Sequence, residues 1–493
     1  MKFLKKYHKW VGWFFGILLI LSALSGIIMN HRKTVSSMDI PRKWLPDVYQ
    51  YDNWNNASIK GSFRLSPDSI LLYGGAGIWL TDSVHSSFSG FNAGLKAGAE
   101  NQTINRIVLA GDNVYAASTF ELYQLRNNSG WINISEKTGN RERITDLAAK
   151  GDTLVVMTRS HVYVSTAPYE RFTKTEIQKP ADFVEKATVF RTLWLLHSGE
   201  LFGLPGQLFV DFLGLLIIIL CITGLIYFFC PEIIRKRKKK HLPVKKVVSL
   251  TKSSLKWHNK LGVWFFIFFL ILVVSGMFLR PPLLIAIVRS KIKTLPGTVL
   301  HNKNPWHDKL RVLRYDSTYH KWILYTSEGF YQMDRLTSIP EKMEKTPPVS
   351  VMGVTVLEQI DSTGWLVGSF SGLFYWDKEY EMVVDCYSGK PVEGRPMGRP
   401  VANNPVSGYA GDFGNKKVVF EYNRGAIVFD SNEGFLPMPS QLKERRMPLW
   451  NVCLEIHVGR IYQPLIGVFS ELYVFLYGLI ILLILISGYK IKR

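Results

Sequence analysis

Four long apolar runs divide the chain into alternating apolar and mixed regions. They predict helices that span a membrane at residues 9–30, 207–230, 257–280 and 465–489. A hydrocarbon core of about 30 Å needs about 20 residues of helix, which each run can supply. The first run is longer than the apolar core of a typical secretory signal, and a similar run recurs inside the chain. We therefore interpret all four as permanent membrane helices.

The first and third runs are copies of one another. The stretch "HKWVGWFFGILLILSALSG" begins at His8, and "HNKLGVWFFIFFLILVVSG" begins at His258. Aligned without a gap, the two histidines coincide, Gly12 coincides with Gly262, and both stretches close on Ser-Gly. Such a repeat predicts two parallel halves related by a pseudo-twofold axis along the membrane normal.

The mixed regions repeat a second pattern of a short strand, a tight break and another short strand. Runs rich in Val, Ile, Tyr and Phe that are bounded by Gly, Asn and Ser are typical of β-hairpins. The six hairpins are predicted at residues 69–82, 113–126, 153–166, 321–334, 364–377 and 417–430. A period near 40–50 residues is typical of propeller blades. One ring closed by both halves would leave fewer unpaired strand edges than two separate half-rings.

The predicted fold class is membrane α + β. It combines a four-transmembrane-helix bundle from a duplicated parallel repeat with an extracytoplasmic six-bladed β-propeller-like domain formed by both halves. Between the helices lie the segments 1–8 (cytoplasmic), 31–206 (three blades and the approach to the second helix), 231–256 (cytoplasmic loop), 281–464 (three blades and the approach to the fourth helix) and 490–493 (cytoplasmic).

The charge distribution predicts this orientation. The formal net charge is +21, and residues 231–256 contain ten Lys or Arg against one Glu. Further lysines precede the first helix and follow the fourth. All three basic clusters fall on one side of the membrane, which the positive-inside rule assigns to the cytoplasm. A cytoplasmic position beside acidic lipid head groups accounts for these basic clusters. We therefore expect no nucleic-acid partner.

Histidines form two equivalent pairs around the predicted helices. His8 and His258 lie at the cytoplasmic ends of helices one and three. His197 and His457 precede helices two and four, and each is followed, one residue on, by glycine. A pseudo-twofold axis can bring equivalent imidazoles face to face, as the two axial ligands of a b-type haem require. The pattern thus predicts two haem irons, one near each membrane face.

Glycines support this interpretation, although alternatives remain. Gly12 and Gly262 lie four residues after their histidines, one turn deeper on the same helix face, where a porphyrin could approach the backbone. Histidines at a membrane boundary also occur simply as interfacial residues. His31 is either an alternative outer ligand or a solvated interfacial group. Cys386 and Cys453 lie where a disulfide could persist.

The opening "H-x3-G…SG" helix, followed by "HSG" or "HVG" before another helix, resembles the PepSY-associated transmembrane family. The resemblance covers the four membrane segments and their histidines. It implies a bacterial inner-membrane location, b-type haem on the four paired histidines and outward electron transfer. Some family members are haem-containing ferric-siderophore reductases, so ferric siderophore or chelate in iron uptake is the implied acceptor.

The expected function is therefore haem-dependent electron transfer to a periplasmic acceptor, with ferric reductase as the enzymatic form. Short cytoplasmic segments without a strand-linked G-x-G-x-x-G favour quinol or a separate reductase as electron donor. Expected partners are the lipid bilayer and either a ferric chelate or a periplasmic or outer-membrane uptake protein. The alternative is a non-redox, membrane-anchored propeller that serves as sensor, scaffold or accessory subunit of an uptake system.

Overall fold

The computed structural model describes residues 2–82, 87–126, 130–379, 381–392, 402–414, 416–429 and 435–492. The chain divides into two compact units. The helical unit comprises Met1–Val35, Val184–Lys303 and Leu449–Arg493, and the β unit comprises Ser36–Phe183 and Asn304–Pro448. The β unit is therefore smaller than the predicted segments 31–206 and 281–464, because the approaches to the membrane helices pack with those helices.

Ten α-helices occur in the described part of the chain. In chain order they are α1 (Lys2–Asn30), α2 (Val189–Ser198), α3 (Gly203–Lys239), α4 (Lys245–Trp264), α5 (Phe266–Met277), α6 (Leu283–Ile287), α7 (Ser440–Lys443), α8 (Leu449–His457), α9 (Gln463–Ile466) and α10 (Tyr473–Lys492). All except α7 belong to the helical unit.

Three helices are long and apolar enough to cross a membrane, namely α1, α3 and α10. The pair α4 and α5 passes the same test together but bends by 66° at Phe265, so there are up to four spans among the described residues. The predicted single helix 257–280 is thus two helices. Sharp kinks usually occur at proline, and no proline lies within the predicted helix 257–280. The chain is a membrane protein with a β domain.

Two other boundaries differ from the prediction. The basic segment 231–256 is mostly helical, since α3 continues to Lys239 and α4 begins at Lys245. Lysine and arginine are good helix formers, and they are favoured at the C-terminal end of a helix. The fourth span begins at Tyr473 rather than at residue 465, because Gly467 has φ +54° and ends α9.

Among the described residues, the β unit contains six groups of consecutive strands that pair antiparallel. Each group is called a sheet below, although the first and the last join in one seven-stranded sheet. The first three are β2–β5 (Gly61–Ser66, Ser69–Gly74, Gly77–Asp82, Phe88–Gly90), β6–β9 (Ile104–Ala110, Asn113–Ser118, Leu122–Arg126, Gly130–Asn133) and β10–β13 (Ile144–Lys150, Thr153–Thr158, Val162–Thr166, Thr173–Thr175). The others are β16–β19 (Leu310–Asp316, Lys321–Thr326, Gly329–Met333, Glu341–Lys342), β20–β23 (Val354–Gln359, Gly364–Ser369, Gly372–Asp377, Met382–Asp385) and β24–β26 (Val406–Phe413, Lys416–Glu421, Gly425–Phe429).

Three short pairings complete the strands. Strands β1 (Asp39–Ile40) and β27 (Met447–Pro448) pair in the β unit, and β14 (Lys186–Thr188) pairs with β15 (Lys291–Lys293) in the helical unit. Strands β2 and β24 meet in a parallel contact that joins their sheets.

The six predicted hairpins are confirmed. Each consists of the second and third strands of one sheet, as in the pairing of β3 with β4. Four of the aligned turn positions are glycines with positive φ, a backbone conformation that favours glycine. They are Gly77 (φ +93°), Gly329 (φ +119°), Gly372 (φ +128°) and Gly425 (φ +85°).

Hydrogen bonds join the first strand of each sheet, or the residue before it, to the next sheet. They connect Lys60 with Asn105, Asn105 with Ile144, Asp146 with Leu313, Arg314 with Leu357, Thr355 with Val406, and Tyr409 with Lys60. The six sheets are therefore linked in a closed cycle.

An ion pair joins sheets that are not neighbours in this cycle. Arg106 in β6 binds the Glu358 carboxylate in β20 through both terminal nitrogens, one of them at 2.9 Å from Oε2. Burial alone would raise the pKa of Glu358, but the positive charges of Arg106 and Arg314 overcome it and hold that pKa below its usual value. The pair therefore adds a direct contact between the second and the fifth sheet of the chain.

Candidate histidine centre

The first histidine pair consists of His8 and His258. His8 lies in the second turn of α1 and His258 in the last third of α4. Their ring centres are 6.1 Å apart, with an angle of 76° between the ring planes. The structure thus brings together two side chains that are 250 residues apart in sequence, as the repeat predicts.

The second histidine pair consists of His197 and His457. Their ring centres are 6.0 Å apart, with an angle of 64° between the planes. Both residues lie in the last turn of a short helix, α2 and α8 respectively. The distance between ring centres is therefore nearly the same in the two pairs, although long helices carry the first pair and short helices the second.

The glycine after each histidine of the second pair explains its position. Gly199 caps α2 with φ +83°, and Gly459 follows α8 with φ +79°. An added Cβ would lie 2.2 Å from the Gly206 carbonyl oxygen at Gly199, and 2.0 Å from Tyr473 Cδ1 at Gly459. The His-x-Gly motif ends each helix directly after its histidine, so that the chain can turn toward the following membrane segment.

Each of the four rings makes a hydrogen bond from Nδ1 to a backbone carbonyl of the other half of the chain. The acceptors are Ile484 for His8 (3.1 Å), Leu220 for His258 (3.0 Å), Leu272 for His197 (3.0 Å) and Ser22 for His457 (2.9 Å). A carbonyl oxygen can only accept, so Nδ1 carries the proton in the neutral ring. The Nε2 lone pair is then available for a metal.

No hydrogen bond to Nε2 of any of these four rings occurs among the described residues. The separation of the rings also fits a metal between them. A metal–imidazole bond of about 2.0–2.1 Å on each side, with about 1.1 Å from nitrogen to ring centre, gives centres about 6.2–6.4 Å apart. Both observed separations lie close to that range.

The donor set fits a haem better than a bare ion. Within the described ranges there is no group of three or more His, Cys, Asp or Glu side chains that could hold a metal. A structural metal held by protein side chains alone usually has four ligands. A porphyrin would contribute four nitrogens of its own, and two imidazoles would supply the remaining ligands of its iron. Each histidine pair contains the two imidazoles that this coordination needs.

A glycine on each membrane helix lies against one imidazole. A Cβ at Gly488 or Gly276 would lie 2.8 Å from Cε1 of His8 or His197. A Cβ at Gly26 or Gly224 would lie 3.3 Å from Cε1 of His457 or His258. Each ring thus rests on helix backbone at a place where a larger residue would crowd it.

The two glycines expected to face a porphyrin adjoin open space. A Cβ at Gly12 would meet no atom within 4 Å, and a Cβ at Gly262 would meet only Leu220 Cδ2, at 3.9 Å. This space is compatible with a flat ligand beside the first histidine pair. Their role as haem-contacting residues remains a prediction.

His31, the alternative outer ligand, has a different partner. Its Nε2 is 2.8 Å from Oδ2 of Asp211, whose other oxygen accepts from Asn30 Nδ2 at 2.8 Å. Asn30 Nδ2 also donates to the Ser198 carbonyl at 3.2 Å. Nε2 of His31 is therefore engaged with a carboxylate, unlike Nε2 of the four paired histidines.

Sequence reasoning missed part of this centre. Besides Ser25-Gly26 and Ser275-Gly276, the steps Thr223-Gly224 and Ser487-Gly488 also contact histidines. All four membrane segments therefore carry a Ser/Thr-Gly step, and this shared dipeptide was the available signal. No disulfide bond joins Cys386 and Cys453, and none involves the other two cysteines, among the described residues.

The family model of the PepSY-associated TM region matches residues 1–230 and again residues 233–491. The two matches correspond to the two halves of the repeat. No curated protein sequence matches the chain.

Three solved structures are similar to this chain at low scores. The extracellular domain of BT4673 from B. thetaiotaomicron is 8% identical with a TM-score of 0.36, over 76% of this chain and 33% of that one. The computationally designed Ika8 protein is 8% identical with a TM-score of 0.32, over 77% and 99%. PorZ of Porphyromonas gingivalis is 9% identical with a TM-score of 0.20, over 74% and 39%. The chain thus spans about a third of the length of the BT4673 domain.

Proposed function

The chain belongs to the PepSY-associated TM family, and from this premise we propose that it is a membrane b-type haem protein that moves electrons across the bilayer. The observation that carries the proposal is the geometry of the two histidine pairs. In both, the ring separation fits a metal, a carbonyl accepts from Nδ1, and Nε2 makes no hydrogen bond within the described part of the chain. When bound, haem would supply a reversible one-electron couple at each pair.

The chain's own residues provide ligation and orientation. His8 and His258 would hold one haem, and His197 and His457 the other. The carbonyl bonds fix each ring's rotation and tautomer, which is how outer-shell contacts orient metal ligands. Every such bond runs from one half of the chain to the other, so each pair requires both halves in register.

The membrane orientation and acceptor extend this proposal. The basic residues around the end of α3 and the start of α4 favour the cytoplasm for that side, in a bacterial inner membrane. The second histidine pair would then lie at the periplasmic face. Ferric siderophore or chelate in iron uptake is the proposed acceptor, and quinol or a separate reductase the proposed donor.

We propose that the six sheets of the β unit are blades of one propeller closed by both halves of the chain. The cycle of hydrogen bonds between first strands supports this arrangement, since it returns from β24 to β2. Short, protected edges are the usual advantage of such a ring. The four membrane segments would form the accompanying bundle, with α4 and α5 as one bent span.

Absorbance of the detergent-purified protein before and after dithionite tests the haem assignment. We expect a sharp reduced α band and a shifted Soret band. His8→Ala or His258→Ala should remove the signal of one haem, and His197→Ala or His457→Ala that of the other. His320→Asn is the matched control, because His320 is exposed, lies in the β unit and has φ +55°, which Asn tolerates.

Two results would contradict the assignment. A colourless preparation from cells with ample haem would favour the alternative of a non-redox, membrane-anchored propeller acting as sensor, scaffold or accessory subunit. Equal loss of both signals from all four variants would contradict the two separate pairs. The acceptor is tested separately by mixing the reduced protein with a ferric chelate and following reoxidation in a stopped-flow instrument.

A further inference from the structure

A hydroxyl group accompanies the carbonyl at each of the four imidazoles. The Nδ1–oxygen distances are 3.1 Å from His8 to Ser487, 3.2 Å from His258 to Thr223, 3.3 Å from His197 to Ser275 and 3.1 Å from His457 to Ser25. Each hydroxyl belongs to the residue directly before the glycine that lies against the same ring. Four separate helices thus present the same combination of carbonyl, hydroxyl and glycine.

The direction of these hydrogen bonds follows from the second contact of each hydroxyl. Each donates its proton to the same carbonyl that the imidazole contacts, at 2.9 Å for Ser487 and 3.0 Å for the other three. With that proton used, the oxygen faces Nδ1–H as an acceptor. The imidazole N–H is therefore shared between a carbonyl and a hydroxyl at every position.

We infer that Ser25, Thr223, Ser275 and Ser487 are positioning residues that orient the four imidazoles and set their electron donation. This inference rests on the proposed haem function. Two acceptors restrict ring rotation about the Cβ–Cγ bond more than one acceptor does, so the direction of Nε2 is more closely fixed. Acceptors at Nδ1–H also raise the basicity of the ligand, which favours the oxidised metal.

A simpler role has to be separated from this one. Serine and threonine inside helices commonly return a hydrogen bond to the carbonyl three or four residues earlier, with no partner outside the helix. Thr223 shows such bonding most fully, because it donates to Ile219 as well as to Leu220. If this were the only role, removal of the hydroxyl would change helix geometry slightly and leave the imidazoles unaffected.

Potentiometric titration of the purified holoprotein distinguishes the two roles. We expect Ser275→Ala to raise the midpoint potential of the haem at the second pair, and Ser487→Ala that of the haem at the first pair. Each variant should leave the potential of the other haem unchanged. A tenfold change in the oxidised-to-reduced ratio corresponds to about 59 mV for one electron, and we expect a shift of this order. Ser275→Thr and Ser487→Thr keep the hydroxyl and should restore the wild-type potentials.

A second readout does not require haem. In the full-length apoprotein with 15N-labelled histidine, we expect the tautomer with the proton on Nδ1 at all four paired histidines. Each alanine variant should shift the tautomer population of the contacted histidine alone, and each threonine variant should restore it. Loss of one pair's haem in an alanine variant, restored in the threonine variant, would also support positioning.

The outcomes separate the two claims. If the wild-type protein binds no haem but the tautomer shifts occur, the proposed function fails and the positioning role stands. If haem binds and neither potential nor tautomer changes in Ser275→Ala and Ser487→Ala, the positioning inference is overturned and the proposed function stands. Thr223→Ser serves as a further control and should leave both readouts unchanged.

Discussion

The two histidine pairs reach nearly the same separation by different routes. The first pair lies within two long helices, so its geometry depends on how α1 and α4 pack against α10 and α3. The second pair lies at the ends of two short helices, and its geometry depends also on the glycines that stop those helices. The difference indicates that local backbone changes should harm the second pair selectively.

The largest effect is expected at the helix-ending glycines. Gly199→Ala and Gly459→Ala would place a Cβ 2.2 Å from the Gly206 oxygen and 2.0 Å from Tyr473 Cδ1, in a backbone region that costs a non-glycine residue about 1–2 kcal/mol. We expect the second haem to be lost and the first retained, as read from the reduced absorbance spectrum.

The control for these variants is Gly151→Ala. Gly151 also has positive φ, at +53°, but a Cβ there would meet no atom within 4 Å. The Gly151→Ala protein should keep both haems. Loss of both haems in Gly199→Ala, with an unchanged circular dichroism spectrum, would show that the two pairs are not independent.

A smaller effect is expected at the glycines beneath the rings. Gly276→Ala should weaken the second haem and Gly488→Ala the first, because each Cβ would lie 2.8 Å from a histidine Cε1. Gly26→Ala and Gly224→Ala, at 3.3 Å, should have weaker effects on the same two haems. Haem content per chain, measured by the pyridine haemochromogen assay, checks this order.

Helix weakening cannot account for such a loss, since glycine to alanine in a helix interior is favourable by about 0.5–1 kcal/mol. The reverse order, with Gly26→Ala and Gly224→Ala more harmful, would mean that the rings do not rest on these glycines as the structure describes.

A still smaller effect is expected at the open space beside the first pair. Gly12→Ala and Gly262→Ala meet no close protein atom, so the apoprotein should keep its stability. If a porphyrin occupies that space, haem affinity at the first pair should fall while the second pair is unaffected. Haem titration of the apoprotein measures this. Phe14→Leu, on the exposed side of α1, is the control; unchanged affinity in both glycine variants would remove them from the haem site.

No effect on either pair is expected from the β unit. Glu358→Gln leaves Arg106 without its ionic partner and should lower the free energy of unfolding by about 2–3 kcal/mol at pH 7. Because the folded pKa of Glu358 lies below its usual value, its stabilising contribution is present above the unfolded pKa of about 4.3 and is lost as pH falls through the folded pKa. The difference between wild type and variant should therefore shrink in acid.

Urea unfolding of the full-length protein in detergent, followed by tryptophan fluorescence at pH 7 and pH 3.5, measures this change. The haem spectrum is the internal control. A Glu358→Gln protein with wild-type stability at pH 7 would contradict a stabilising role for this ion pair. A changed haem spectrum would show that the effect of the substitution is not confined to the β unit.

Sequence reasoning identified which histidines pair but not what holds them. His8 and His258 could be matched because the repeat aligns them, and the hairpins were evident from alternating strands and turn glycines such as Gly372. The acceptors at Ile484 and Leu220 depend on the register between helices, which tertiary packing sets. The bend at Phe265 and the helical basic segment were missed for a related reason. No proline marks the bend, and the high charge of residues 231–256 suggested a loop.

The central claim is that each pair of imidazoles ligates one haem iron. Electron paramagnetic resonance of the oxidised, purified protein, combined with a haem count, tests it most directly. We predict two low-spin ferric signals and two haems per chain, with one signal absent from His258→Ala and the other from His457→Ala. A haem-replete preparation with a single signal, or with high-spin iron only, would contradict two bis-histidine sites.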